Sequence, residues 1–327
     1  MKAFAYVNAA DAKQAIAALG TERGRFLPLA GGMDLLALMK DHIAEPDRVV
    51  NVKSLDRTIR KTPDGGLSIG AAVTLTELVA HADAASLYPA LVQAAGEVGT
   101  PQIRNLGTVG GNLNQRPRCW YFRNEEFHCL KKGGARCFAV EGENEYHAII
   151  AGGPCHIVHP SSLAVPSIAL NARFRIAGPA GEREVPAAEY YQLPDRNLYG
   201  ETVLAPNELL THVVLPPTGG ARNATYEVRF KQSHDWPLAM AAVALSLDGT
   251  TVRAARVVMG AVAPVPWRSE PAEAALAGKT ISEEAAIAAA EAAVANAKPM
   301  SQNAYKVQIA RTAVKRAILR AAGMFKG

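Results

Sequence analysis

The chain reads as an α+β protein of at least two units, and three observations predict it. Apolar runs of strand length alternate with helical-period segments from end to end, with glycine and proline at the joints. Pro216-Pro217-Thr218-Gly219-Gly220 is the clearest linker and divides the 327 residues. Beyond it, strand-like stretches come first and Ala-rich helices follow, the segregation expected of an α+β unit. A soft prior of about 150 residues per domain gives two or three domains, and an apolar content of 49% is ample for their cores.

The elements follow in order. Residues 11–20 predict a helix with a glycine stop at Gly20. Phe26 to Ala30 is a short apolar strand, Gly31-Gly32-Met33-Asp34 a turn, and Leu35 to Lys40 a helix. A Gly-Gly pair between strand and helix suits an anion, because glycine permits close approach and helix N-terminal amides point at it. Arg48 to Val52 is a strand, and Asp64-Gly65-Gly66 turns into another over Leu67 to Ala71. Thr74 and Glu77 are spaced as a capping box, which predicts a helix over Thr74 to Ala82, and Tyr88 to Val98 predicts the next. Strand patterns follow at Phe174-Arg175-Ile176 and Leu209 to Pro217, then at Ala224 to Phe230, Ala241 to Leu247 and Val252 to Met259. A closing helix, Tyr305 to Ala322, has one broad apolar face; its charged face (Lys306, Arg311, Lys315, Arg316, Arg320) is expected to be solvated.

The net charge of +5 is spread over the chain, except for Arg116, Arg118, Arg123, Lys131, Lys132 and Arg136. That cluster is better read as offsetting nearby thiolates and phosphates than as a nucleic-acid surface. No apolar run reaches 18 residues, so no membrane-inserted helix is expected. Met1-Lys2-Ala3-Phe4 opens no signal segment, which makes the cytoplasm the default expectation; co-export into the periplasm on a signal-bearing partner is the other route.

All four cysteines, Cys119, Cys129, Cys137 and Cys155, fall within 37 residues. Four sulfur ligands in one segment match an iron–sulfur cluster or a structural zinc site. Two disulfides or buried apolar thiols are the competing readings. The spacing C-x9-C-x7-C-x17-C is neither the zinc-ribbon nor the ferredoxin pattern, so spacing alone names no metal. His128, His147, His156 and His159 lie close enough in sequence for a mixed ligand set.

G-x-G-x-x-G after a first strand is absent, as is the nucleoside triphosphate loop G-x-x-x-x-G-K-[ST]. Instead two glycine turns stand apart, Ala30-Gly31-Gly32-Met33-Asp34 and Gly107-Thr108-Val109-Gly110-Gly111-Asn112. Each is expected to offer backbone N–H groups to a phosphate, and together they could clamp one diphosphate. Phe26-Leu27-Pro28-Leu29-Ala30-Gly31-Gly32-Met33-Asp34-Leu35-Leu36, then Ile69-Gly70-Ala71, then Gln102 to Asn112, resemble the FAD-binding medium subunits of the xanthine dehydrogenase family of molybdenum hydroxylases. The resemblance runs nearly end to end. The cysteine segment narrows it to the flavin subunits of bacterial aldehyde oxidoreductases and of 4-hydroxybenzoyl-CoA reductase, which carry an extra [4Fe-4S] cluster in such a loop.

The resemblance implies a two-subdomain FAD-binding fold of the vanillyl-alcohol-oxidase (PCMH) type over 1–218. Its subdomains would be about 1–55 and 56–218, with a cysteine loop at 115–156; a smaller flavoprotein C-terminal domain would span 221–327. It implies that Phe26, Leu27, Pro28, Leu29, Ala30, Gly31, Gly32, Met33 and Asp34, with Thr108, Gly110, Gly111 and Asn112, hold the FAD diphosphate and ribityl chain. Leu210 would lie against the flavin and Lys231 near its polar edge, where a positive charge stabilises the reduced anion. The family's Ser-Asp is Ser161-Ser162 here, so a carboxylate is missing at the ribityl contact and Ser162 offers a hydroxyl. Cys119, Cys129, Cys137 and Cys155 would ligate the cluster. The implied partners are a molybdopterin-binding large subunit and a [2Fe-2S] small subunit, and the chain itself would carry no catalytic acid or base. A self-sufficient flavin oxidase of the same fold and a zinc-stabilised binding module are the alternatives.

Overall fold

The computed structural model describes residues 1–230 and 234–325. Its first sheet is parallel: β1 (Ala5–Asn8), β2 (Phe26–Leu29) and β3 (Arg48–Asn51), in the order β1-β3-β2. Parallel neighbours need crossovers, and the helices Ala12–Ala18 and Leu35–Lys40 lie in the two connections. Asp11 starts the first of these helices by accepting from Gln14 N at 2.8 Å.

The second sheet is antiparallel and five-stranded: β4 (Ile59–Lys61), β5 (Leu67–Gly70), β6 (Arg173–Gly178), β7 (Gly181–Pro186) and β8 (Leu209–Leu215), in the order β4-β5-β8-β6-β7. Between β5 and β6 the chain leaves this sheet, and that excursion contains the second glycine turn and every cysteine. The predicted helix from Thr74 breaks into Leu75–Ala80 and Ala82–Leu87, because His81 is extended and its ring accepts from Ala84 N to cap the second piece. The capping box itself forms, with Glu77 Oε2 accepting from Thr74 N at 2.7 Å. Thr74→Ala should cost about 1 kcal/mol in denaturant unfolding; a shift in midpoint smaller than a fifth of that would make the cap irrelevant.

The third sheet holds β9 (Arg222–Val228), β10 (Ala239–Asp248), β11 (Thr251–Gly260) and β12 (Trp267–Arg268), in the order β12-β11-β10-β9. It is buried on both faces, and strand alternation assigns the residues. Ala239, Ala241, Val243 and Leu245 pack against the helices Glu270–Leu276, Glu283–Val294 and Tyr305–Ala321. Met240 and Ala242 face the opposite way, into the core built around the second sheet.

One expectation for the last helix fails. Lys306 is 1% exposed. Its ammonium donates to Tyr146 O and His147 O, each at 3.1 Å, and to Ala261 O at 2.6 Å. Asn303 Nδ2 also donates to His147 O, and Gln302 exchanges hydrogen bonds with Asn144. The start of this helix therefore ties the cysteine segment to the C-terminal unit. Arg316 and Arg320 are not simply solvated either, since both guanidinium groups stack on Tyr226.

Candidate functional site

A cavity of about 410 Å³ opens where the first sheet, the second glycine turn and the third sheet converge. That volume suits an organic ligand or cofactor. The two glycine turns form its floor, and they touch. A Cβ on Gly31 would lie 2.1 Å from Leu106 O, and a Cβ on Gly110 would lie 2.9 Å from that of Ala71. Glycine at these positions lets three backbone segments meet with no side chain between them.

The two turns are chemically unequal. The amides of Gly31, Gly32 and Met33 find no acceptor among the described residues. Those of the second turn are occupied, contrary to expectation. Val109 N donates to Val73 O, Gly110 N to Ala71 O and Gly111 N to Thr108 Oγ1. The second turn is in fact a short helix, Val109–Leu113, capped by Thr108. Its remaining polar groups are the Thr108 hydroxyl proton and the Asn112 amide, whose Oδ1 accepts from Ser161 Oγ at 2.7 Å and from Leu163 N at 3.2 Å.

Of the expected residues, Leu27, Pro28, Ala30, Gly31, Gly32, Met33, Asp34, Thr108, Gly110, Gly111, Asn112, Ser162 and Leu210 line this cavity. Phe26 and Leu29 do not. Phe26 packs over Gly20 beneath the guanidinium groups of Arg25 and Arg48. Leu29 has its Cδ1 3.4 Å from where a Gly32 Cβ would be. Lys231 lies outside the described residues. Asp34 lines the wall with its carboxylate already engaged, by Arg118 at 2.8 Å, Arg123 at 2.6 Å and Arg116 N at 2.8 Å. It acts as a clamp between the first turn and the start of the cysteine segment. Burial pushes Arg118 down to about 10, and its guanidinium sits 4.1 Å from the ring centre of Trp236, another wall residue. The cationic cluster thus meets carboxylates first: Arg116 and Lys131 pair with the buried Glu201 at 2.7 and 2.8 Å.

The four cysteines line a second, much smaller cavity together. Tyr121, Phe122 and Phe138 line it, and Phe127 lies behind in ring contact with Tyr121 and Phe138. Burial pushes Cys119 up to about 11. Cys155 donates to Cys137, which lowers the Cys137 thiol and raises its own. None of the cysteines is in a disulfide, so that reading is set aside. Among the described residues no group of three or more His, Cys, Asp or Glu side chains stands in position to hold a metal ion, and this applies to the cluster expected from the resemblance as much as to a zinc site. Of the four histidines, His147 and His156 reach this cavity, His147 Nε2 standing 3.3 Å from Cys119 Sγ. Burial lowers His147 to about 4, so its ring is neutral. The two cavities are neighbours: Leu38 lines the large one and packs against Phe122 and Cys129 of the other.

Residues 2–218 match the family described as FAD binding domain in molybdopterin dehydrogenase, and residues 224–321 match the CO dehydrogenase flavoprotein C-terminal domain. The chain belongs to the FAD-binding subunits of the molybdopterin dehydrogenases. FAD is therefore the cofactor this subunit binds, and the fold is the PCMH-type FAD fold with its C-terminal companion. The subunit is 36% identical to the aldehyde oxidoreductase FAD-binding subunit PaoB of Escherichia coli K12, over 95% of this chain and 96% of that one. It is 28% identical to the carbon monoxide dehydrogenase medium chain of Hydrogenophaga pseudoflava, over 96% of each. A solved carbon monoxide dehydrogenase from that organism superposes with a TM-score of 0.76 over 99% of this chain and 98% of the other. The subunit's relatives are thus parts of oxidoreductases, and no helix among its described residues is long and apolar enough to cross a membrane.

Glu227 was missed by sequence reasoning. It lines the large cavity from β9, and no motif marks it. Only the alternation of its strand hinted at a buried face.

Proposed function

We propose that this chain is the FAD- and [4Fe-4S]-binding electron-transfer subunit of a heterotrimeric molybdenum-containing aldehyde oxidoreductase. In that assembly a molybdopterin-binding large subunit oxidises the substrate and a [2Fe-2S] small subunit relays electrons to this chain, which delivers them to an external acceptor. The observation that carries the reading is the gathering of all four thiols around one aromatic-rimmed cavity, against whose Phe122 and Cys129 packs Leu38 of the large cavity. The similarity to an aldehyde oxidoreductase subunit supports the substrate class. With every cysteine in that segment, none remains for a [2Fe-2S] set, so those centres belong on a partner.

Residue roles follow from chemistry. The unengaged amides of Gly31, Gly32 and Met33 receive diphosphate oxygens, as bare backbone N–H groups do. Thr108 and Asn112 add a hydroxyl and an amide, while Gly110 and Gly111 keep the opposite wall bare. Leu210, 5% exposed, gives the isoalloxazine an apolar face. Ser162 serves the ribityl chain, and Lys231 the polar edge of the ring. Cys119, Cys129, Cys137 and Cys155 hold the cluster, and their low-dielectric surroundings favour bound iron over free thiolate. Flavin and cluster supply one- and two-electron redox chemistry; the protein binds, orients and keeps water out. The division into 1–218 and 221–327 belongs to the same proposal.

The test is co-purification of the complex from its native host, with flavin, iron, sulfide and molybdenum determined. The expected result is one FAD and about four irons per copy of this chain beyond those of the small subunit. Cys137→Ser should lose that iron while retaining FAD. Zinc in place of iron, or an iron content untouched by the substitution, removes the cluster from the proposal.

A further inference from the structure

Asp34 stands at the joint between the two cavities. It directly follows Gly31-Gly32-Met33, whose amides find no acceptor among the described residues, and it opens the helix Leu35–Lys40. An aspartate in that position usually spends its carboxylate on the first amides of its own helix. Here no such bond forms. Both oxygens reach instead across 82 to 89 residues of sequence. Oδ1 accepts from Arg123 at 2.6 Å and pairs with Arg118 at 2.8 Å, and Oδ2 accepts from Arg116 N at 2.8 Å. These three donors bracket Cys119. Arg123 also holds the backbone there, donating to Pro117 O at 2.7 Å and Arg116 O at 3.1 Å, while its own amide donates to Cys119 O at 3.0 Å. One turn further along the helix, Leu38 packs against Phe122 and Cys129. A single short element thus carries the first glycine turn at one end and seats the thiol-bearing segment with its side chains.

Two guanidinium groups lie against one carboxylate, and each of the three side chains is at most 20% exposed. Without the carboxylate they would face each other as buried like charges, so Arg116 to Arg123 could not keep this arrangement. We propose that Asp34 is a positioning residue that makes FAD binding at the first turn and ordering of the thiol-bearing segment one coupled event. This rests on the FAD diphosphate meeting the amides of Gly31, Gly32 and Met33. A diphosphate that fixes those amides fixes Asp34, and Asp34 fixes the backbone on both sides of Cys119. Coupling between two sites is reciprocal, so loosening the segment must weaken FAD to the same extent.

The test is amide hydrogen exchange on the full chain, stripped of FAD and iron, with and without added FAD. It is read over residues 119–134, none of which lines the large cavity. In wild type, FAD should slow exchange there about fivefold or more, the lower end of coupling between sites. In Asp34→Asn at saturating FAD, the slowing should fall below about twofold. A merely structural carboxylate would speed exchange with and without FAD alike and leave their ratio unchanged. Arg123→Met tests the link from the other end. Titration by flavin fluorescence should show FAD binding weakened about fivefold or more, although Arg123 does not line the cavity. Asp47→Asn is the control, since Asp47 also holds two cations, Lys2 at 2.8 Å and Arg25 at 2.6 Å, both outside the cysteine segment. It should leave both readings at wild-type values. No slowing by FAD in wild type, a wild-type ratio in Asp34→Asn, unchanged affinity in Arg123→Met, or the same losses in Asp47→Asn overturns the assignment. Gly31→Ala separates the two levels. If Gly31→Ala loses FAD while Asp34→Asn keeps the wild-type ratio, only the coupling fails; if Gly31→Ala binds FAD as wild type does, the placement of FAD on the first turn fails and the coupling with it.

Discussion

Gly31→Ala is expected to weaken FAD binding about tenfold to a hundredfold, the loss of a hydrogen bond or so from the turn's amides to a charged diphosphate. A methyl at this position would sit 2.1 Å from the carbonyl oxygen of Leu106 and 2.7 Å from its carbon. Neither is the end of a flexible side chain, so one glycine turn has to retreat from the other. Leu106 cannot yield easily, because its neighbour Gly107 accepts from Leu75 N and the turn beyond is fastened to Val73 and Ala71. The first turn is the one that moves, and it carries the unengaged amides. Gly65→Ala is the control: its backbone is left-handed at φ 91, yet nothing stands within 4 Å of the new carbon. That variant should lose about 1–2 kcal/mol of stability from backbone strain alone and keep its affinity for FAD. Equilibrium titration of the two variants decides the matter; equal affinities would mean that the contact between the turns is not what shapes the site.

Lys306→Met is expected to destabilise the protein by roughly 2–3 kcal/mol, the loss of hydrogen bonds to buried carbonyls offset in part because burial already lowers the lysine to about 7. The ammonium has three N–H donors, and three backbone carbonyls take them. Methionine fills the space but takes the donor from Tyr146 O and Ala261 O, while His147 O keeps Asn303 Nδ2. Two of the three belong to Tyr146 and His147 in the cysteine segment, and His147 in turn reaches Cys119 through Nε2. The substitution should therefore lower the melting temperature by roughly 3–4 °C and, on the proposed cluster, reduce iron retention in parallel. Lys315→Met on the same helix breaks a solvent-exposed pair with Glu283 and should cost less than about 1 kcal/mol. Calorimetry on both variants checks the claim, and comparable losses from the two would show that burial of Lys306 carries no special weight.

Much of the fold was legible because local signals agreed with tertiary ones. Apolar runs at Phe26–Leu29, Arg48–Asn51 and Thr251–Gly260 are strands, and Asp11 and Thr74 cap helices as their spacing predicts. The errors share a cause. Val109–Leu113 is helical despite two glycines, whose weak helix propensity is overridden by the Thr108 cap and by hydrogen bonds to Val73 and Ala71. Lys306 was assigned to water because lysine usually is, and only a carbonyl cage from two distant segments reverses that. At the site, the glycine turns could be named from sequence, but which of them keeps its amides unengaged could not.

By itself the sequence determined the α+β class, the linker, the pair of glycine turns and the confinement of all sulfur to one segment. These are properties of composition and short-range order, which a single chain records directly. The tertiary structure alone decided that Gly31 abuts Leu106, that the four thiols share one cavity beside Leu38, and that Glu227 of β9 lines the large cavity. Each of these depends on where segments far apart in the chain are brought by burial of separate apolar faces. That convergence is set by packing of whole sheets against one another, and no local pattern encodes it.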